Sequence, residues 1–202
     1  SGSSVTTGTQ NTLIGGLAGD ALTVGNQNVA IGTHALTADT QGTGSVAIGR
    51  STLEAQNFSS ATTSYNTAVG YHAGLSVTDG QSNTIVGSHA GDALTTGGNN
   101  VAIGAFALSG EDAHGGNIAI GRNALYAQDA GANAYNVAIG YYAGSAVSTA
   151  IESTFVGYLA GDAVTTSPGC TAIGSQALSE QAGDYCTAVG RKALNGCTSN
   201  GD

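Results

Sequence analysis

The sequence predicts an all-β fold: a parallel β-solenoid, or β-roll, of about eleven coils, mostly 17 residues each, with a four-coil super-repeat. Three observations predict it. A short phrase recurs along the chain: Asn (or Ser, Cys), Thr/Val/Ile, a small or apolar residue, Ile/Val, Gly, two free positions, and Ala. Its Gly falls at 15, 32, 49, 70, 87, 104, 121, 140, 157, 174 and 190, so most successive differences are 17. The composition fits a thin aliphatic core, with 41% apolar residues, 33 Gly, one Pro, no Trp and only 8% charged residues. Disorder would need fewer apolar residues than this.

In chain order, residues 1–10 read as an N-terminal extension. A single solenoid domain follows over 11–197, and 198–202 read as a C-terminal extension. Independent columns divide the domain into super-repeats 11–82, 83–152 and 153–197. Two positions before Gly, the bulky Leu13, Ile85 and Phe155 open each group, where the other coils carry Ala. Four positions after Gly the chain cycles Gly-Leu-Leu-Gly, as in Gly19, Leu36, Leu53 and Gly74. Where that Leu is missing, an apolar residue stands three further on: Leu22, Val77, Leu94, Val147 and Val164. Arg50, Arg122 and Arg191 mark each third coil, and the long spacings of 21 and 19 follow third coils. The last group stops one coil short and neither end resembles a cap. The chain is therefore expected to continue or to stack head to tail.

Within a coil, the residue before Gly is always Ile or Val, and the third residue after it is Ala except at Thr52. These columns predict a strand, a sharp bend at Gly and a second short strand. The Ile/Val column is expected to form an interior ladder. Asn11, Asn28, Asn66, Asn83, Asn100, Asn117 and Asn136 share one position, joined by Ser45 and Ser153. Stacked amides there are expected to hydrogen-bond along the rod as a structural ladder.

The phrase Asn-Val-Ala-Ile-Gly-x-x-Ala, as at 28–35, 100–107 and 136–143, resembles the head repeats of trimeric autotransporter adhesins. It is also similar to repeats of bacteriophage tail fibres, and the resemblance runs from Asn11 to Leu194. It implies a left-handed parallel β-roll, three chains side by side, and a role in surface attachment. The 17-residue coil is somewhat longer than is usual in those heads.

Charge and chemistry narrow the function further. The net charge is −9, from 13 acids against four bases, which argues against nucleic acid or an anionic membrane surface as partner. No apolar run is long enough to span a bilayer. Cys170 and Cys186 hold the Asn position in consecutive coils, which lie about 4.8 Å apart in such a stack. That separation falls within the roughly 4.4–6.8 Å a disulfide accepts, so the geometry permits an inter-coil bridge. Two plain thiols in the stack are the other reading. Asn57-Phe58-Ser59 is a single weak N-glycosylation sequon, in the longest insertion. His34, His72 and His89 lie in a variable column that suggests a surface, and Glu111-Asp112 reads as solvated loop acids. No catalytic, cofactor or metal site is expected.

The sequence is thus expected to encode a non-enzymatic, extracellular structural fibre or adhesin segment on a cell or virion surface. It would self-associate, as a lateral trimer or by end-to-end stacking. Two alternatives stand beside this. Ice binding would need a regular Thr rank, but Val29, Val46, Val101, Ile118 and Val137 interrupt the Thr column. Binding of surface glycans, as by a phage-type fibre, would use Tyr71, Tyr141 and Tyr158.

Overall fold

The computed structural model describes residues 1–180 and 183–195. One three-residue strand forms in each coil: β1 (Thr12–Ile14), β2 (Val29–Ile31), β4 (Val46–Ile48), β6 (Thr67–Val69), β7 (Thr84–Val86), β8 (Val101–Ile103), β9 (Ile118–Ile120), β10 (Val137–Ile139), β11 (Thr154–Val156), β12 (Thr171–Ile173) and β13 (Thr187–Val189). They pair in parallel, in chain order and in strict register, as a single 11-stranded sheet. Two-residue strands β3 (Gly42–Thr43) and β5 (Thr62–Thr63) pair separately beside the first insertion. The result is a β-solenoid. Among the described residues, no helix is long and apolar enough to cross a membrane.

The segment after Gly is not a second strand. It is a run of turns, and the backbone explains why. Among the described residues, all 25 non-glycine residues with positive φ fall in three columns: five before Gly, two after and four after. The column two after Gly is left-handed in every coil, from Leu17 (φ 59°) to Lys192 (φ 57°). Left-handed residues cannot propagate a strand; they reverse the chain. Gly104 shows what its own column requires. Its φ is 128°, and a methyl there would lie 2.6 Å from the Gly121 carbonyl carbon in the next coil.

The interior also differs from expectation. The Ala column two before Gly is buried completely, from Ala30 to Ala172, together with the Ala three after Gly in most coils. The Ile/Val column faces outward: Ile48 is 36% exposed, Ile173 42% and Ile14 57%. Strand alternation forces this choice, because neighbours on a strand point to opposite faces. Most coils place Ala in this inward position, while Ile85 and Phe155 take the same buried place where glycines leave room.

The four-coil rhythm is a packing solution. Phe155 occupies the space beside two glycines: a methyl at Gly161 would collide with its ring, and one at Gly144 would lie 2.8 Å from its Cδ2. Ile85 relates in the same way to Gly74 and Gly91, and Leu13 to Gly19. The two middle coils of each group carry Ala in the strand and a fully buried Leu four after Gly, as at Leu108 and Leu125. The fourth carries Ala with Gly74 or Gly144, against which the next bulky residue packs. Each volume is filled once, from one of two places.

Residues 1–10 join the stack instead of extending away from it. Gly2 N donates to Ala18 O and Thr6 N to Thr23 O, and Val5 packs on the core. They lie as part of a coil on the first full one. Residues 198–202 and Cys197 lie outside the described residues.

Candidate functional site

Three features stand out on this scaffold: a polar spine inside, an apolar and aromatic face outside, and a ligand-rich knot at the second insertion. The spine is the Asn column. Each carboxamide reaches backbone rather than its neighbouring amide, which corrects the amide-to-amide ladder expected from sequence. Asn83 Nδ2 donates to Gly97 O at 2.9 Å, and Asn83 Oδ1 accepts from Asn100 N at 3.0 Å. The same pair of bonds recurs at Asn28, Asn66 and Asn100. Each side chain thereby closes its own coil and holds the next. Ser153 continues the column by accepting from Cys170 N through Oγ at 3.0 Å.

The outer face of the sheet presents the Ile/Val column beside the Thr/Val column. An aromatic stripe borders it. Tyr71 stacks on His72 with ring centroids 3.9 Å apart, and His89 stacks on Phe106 at 5.2 Å. Tyr141 stacks on Tyr158 at 5.8 Å. Two of the arginines that mark third coils join these groups: Arg50 donates to Tyr71 OH at 3.0 Å, and Arg122 to Tyr141 OH at 3.1 Å. Desolvation, together with His89 and Arg50 nearby, holds the His72 imidazole below its ordinary pKa. His89 Nδ1 meets Asp92 Oδ2 at 2.9 Å. Tyr71, Tyr141 and Tyr158 are all exposed.

The insertions mark a third region. Two adjoining open depressions, about 550 and 460 Å³, share Asp79, Gln81 and Thr96; Phe58 borders one and Tyr135 the other. Asn57 is exposed there, with its Oδ1 accepting from Thr40 Oγ1 at 3.0 Å.

Sequence reasoning missed the buried polar knots seven residues after Gly in the Leu-type coils. Asp39 and Gln56 in the first unit, and Glu111 and Gln128 in the second, are fully buried. Glu111 is therefore not a solvated loop acid, and it lies within a cluster containing Asp112, His114 and Asp129. The available signal was positional: the other coil type places Leu or Val at this same offset.

Cys170 and Cys186 stand in adjacent register and are free thiols. Both point to one carbonyl, Gly183 O, at 3.5 and 3.1 Å. Burial pushes the Cys170 thiol pKa up, which disfavours its thiolate form.

Comparison of the chain with protein-family models, with curated proteins and with solved structures returns no match.

Proposed function

We propose that this chain is a non-enzymatic segment of an extracellular fibre or adhesin, and that it self-associates laterally through the outer face of its long sheet. One observation carries the reading. A β-branched apolar column runs unbroken across eleven in-register strands, and its Ile and Val side chains are partly exposed rather than packed. Soluble monomers rarely leave such a face open. Eleven strands at about 4.8 Å make a strip about 50 Å long. With the bordering aromatic columns it is wide enough for the roughly 800 Å² per partner of an ordinary interface. The strands themselves carry no charged residue, and their side chains sit on a rigid sheet, so ordering them on contact costs little. The resemblance to adhesin heads favours three chains about one axis.

Sedimentation equilibrium at micromolar concentration tests this, with a discrete oligomer expected for the native chain. Ile48→Lys together with Ile139→Lys places two charges on the face and is expected to give a folded monomer. A native chain that stays monomeric at every concentration would sink the proposal.

A second reading rests on the insertion depressions. Their amide and hydroxyl lining with a flanking Tyr135 suits a neutral sugar, and glycan binding lost on Gln81→Ala would favour it.

A further inference from the structure

The second super-repeat differs from the first at one place, where chemistry has replaced neutral packing. Glu111, Asp112 and His114 follow β8, and Asp129 follows β9 in the next coil. One ligand atom from each of the four lies within 4.8 Å of all the others. The set joins an imidazole to three carboxylates, and one of those carboxylates, Glu111, is fully buried.

The first super-repeat supplies the reference. There Asp39 occupies the place of Glu111, and its carboxylate is satisfied by Gly42 N at 2.8 Å, Gln41 N at 3.3 Å and Gln56 Nε2 at 2.6 Å. Thr40 and Asn57 stand where the second unit has Asp112 and Asp129, and they share a neutral hydrogen bond of 3.0 Å. The second unit thus sets two carboxylates across neighbouring coils, beside a third that is buried. Like charges so placed repel unless a cation lies between them. Among the described residues, the salt-bridge partner of Glu111 is His114, with no Lys or Arg joining the cluster.

Hydrogen bonding also differs between the two units. Gln128 Nε2 reaches Glu111 Oε2 only at 3.4 Å while also donating to Asn117 Oδ1 at 3.0 Å. Asn117 Nδ2, fully buried, has no partner, unlike the same atom of Asn28, Asn66, Asn83, Asn100 and Asn136. The Glu111 carboxylate also accepts from His114 N at 3.1 Å, so what sets the second unit apart is its added carboxylates and the unpartnered Asn117 Nδ2.

We propose that Glu111, Asp112, His114 and Asp129 form a binding site for a divalent transition-metal ion, with Zn²⁺ the best match. Imidazole selects for Zn²⁺ over the hard alkaline-earth ions, and carboxylates complete a four-ligand set. His114 Nδ1 and Glu111 Oε1 are 3.2 Å apart. Two donors on a tetrahedral ion with bonds of about 2.0–2.1 Å stand about 3.3 Å apart. The bound ion ties two consecutive coils at the second insertion. This inference is independent of how the chains assemble.

The test is calorimetric titration of chelator-treated full-length protein with ZnCl₂, and separately with CaCl₂, followed by melting curves. The background carries Cys170→Ser, Cys186→Ser and Cys197→Ser, so that thiols do not compete. One equivalent of Zn²⁺ is expected to bind with a micromolar or tighter Kd. It should raise Tm by roughly 5–10 °C at hundredfold excess over Kd. Asp112→Asn with Asp129→Asn copies the neutral pair of the first unit. It should melt no lower than the metal-free parent, yet bind no Zn²⁺. Absence of saturable binding overturns the site, as does Zn²⁺ binding retained in the double variant. Saturation by Ca²⁺ but not Zn²⁺ overturns the ion class.

Discussion

Asn83 holds two coils at once, and its energetics follow from burial. Truncation to Ala orphans the Gly97 carbonyl and the Asn100 N–H inside the rod. Asn83→Ala is expected to cost about 2–3 kcal/mol in urea unfolding, with Asn83→Ser milder because a hydroxyl preserves one acceptor. Asp162 adds a pH signature. Burial raises its pKa above 3.8, and its Oδ1 has no partner. A carboxylate whose pKa is raised in the folded state lowers stability at high pH. That penalty shrinks as pH falls through the folded value and is gone below the unfolded one. Asp162→Asn should therefore raise Tm at pH 7, with the gain shrinking as pH falls toward 3.8, as a series of melting curves would read directly.

At the scale of the element, each coil is a strand followed by turns, with positive φ at four fixed positions. The motif glycines are needed for two reasons, φ and the approach of the next coil. The last one separates them: Gly190 has φ 120°, but among the described residues nothing lies within 4 Å of where a methyl would sit. Gly104→Ala is expected to destabilise by more than about 3 kcal/mol, and Gly190→Ala by only the strain share, about 1–2 kcal/mol, by chemical denaturation. The two coil subtypes are interchangeable only as sets. Phe155→Ala alone leaves a cavity costing about 3–5 kcal/mol. Combined with Gly161→Leu it rebuilds the Ala-and-Leu arrangement of the neighbouring coils. The double variant should then lose less, in the same assay, than the two single changes summed. The coil repeat and its grouping were legible in sequence because Gly, Ala and the bulky residues each answer one steric demand. The direction of the strand faces was not. Ile and Val suit either side of a sheet, and it is the buried Leu53 of the same coil, already filling the interior, that leaves room inside for Ala47 while Ile48 faces outward. Glu111 and Asp112 were equally opaque, since adjacent acids read alike until the coil places one inside and the other out.

For the whole molecule, strand pairing joins residues about one coil apart, so the rod behaves as a one-dimensional array. Its stability is then a sum of coil-to-coil terms, and those terms are unequal. The Asn spine starts at Asn11, is interrupted at Ser45, whose hydroxyl pairs with Ser64 instead, and runs from Asn66 to Asn136. It then passes to Ser153 and gives way to Cys170 and Cys186, which offer no carboxamide to a following coil. The spine therefore has a strong end and a weak end. Amide hydrogen exchange is expected to show protection highest between β6 and β9 and falling toward β13, and a uniform profile would contradict this. The weak end also gives the rod a direction: under load it should peel from the carboxyl side, one coil at a time, and close again in the reverse order, like a zipper whose slider starts at the amino end.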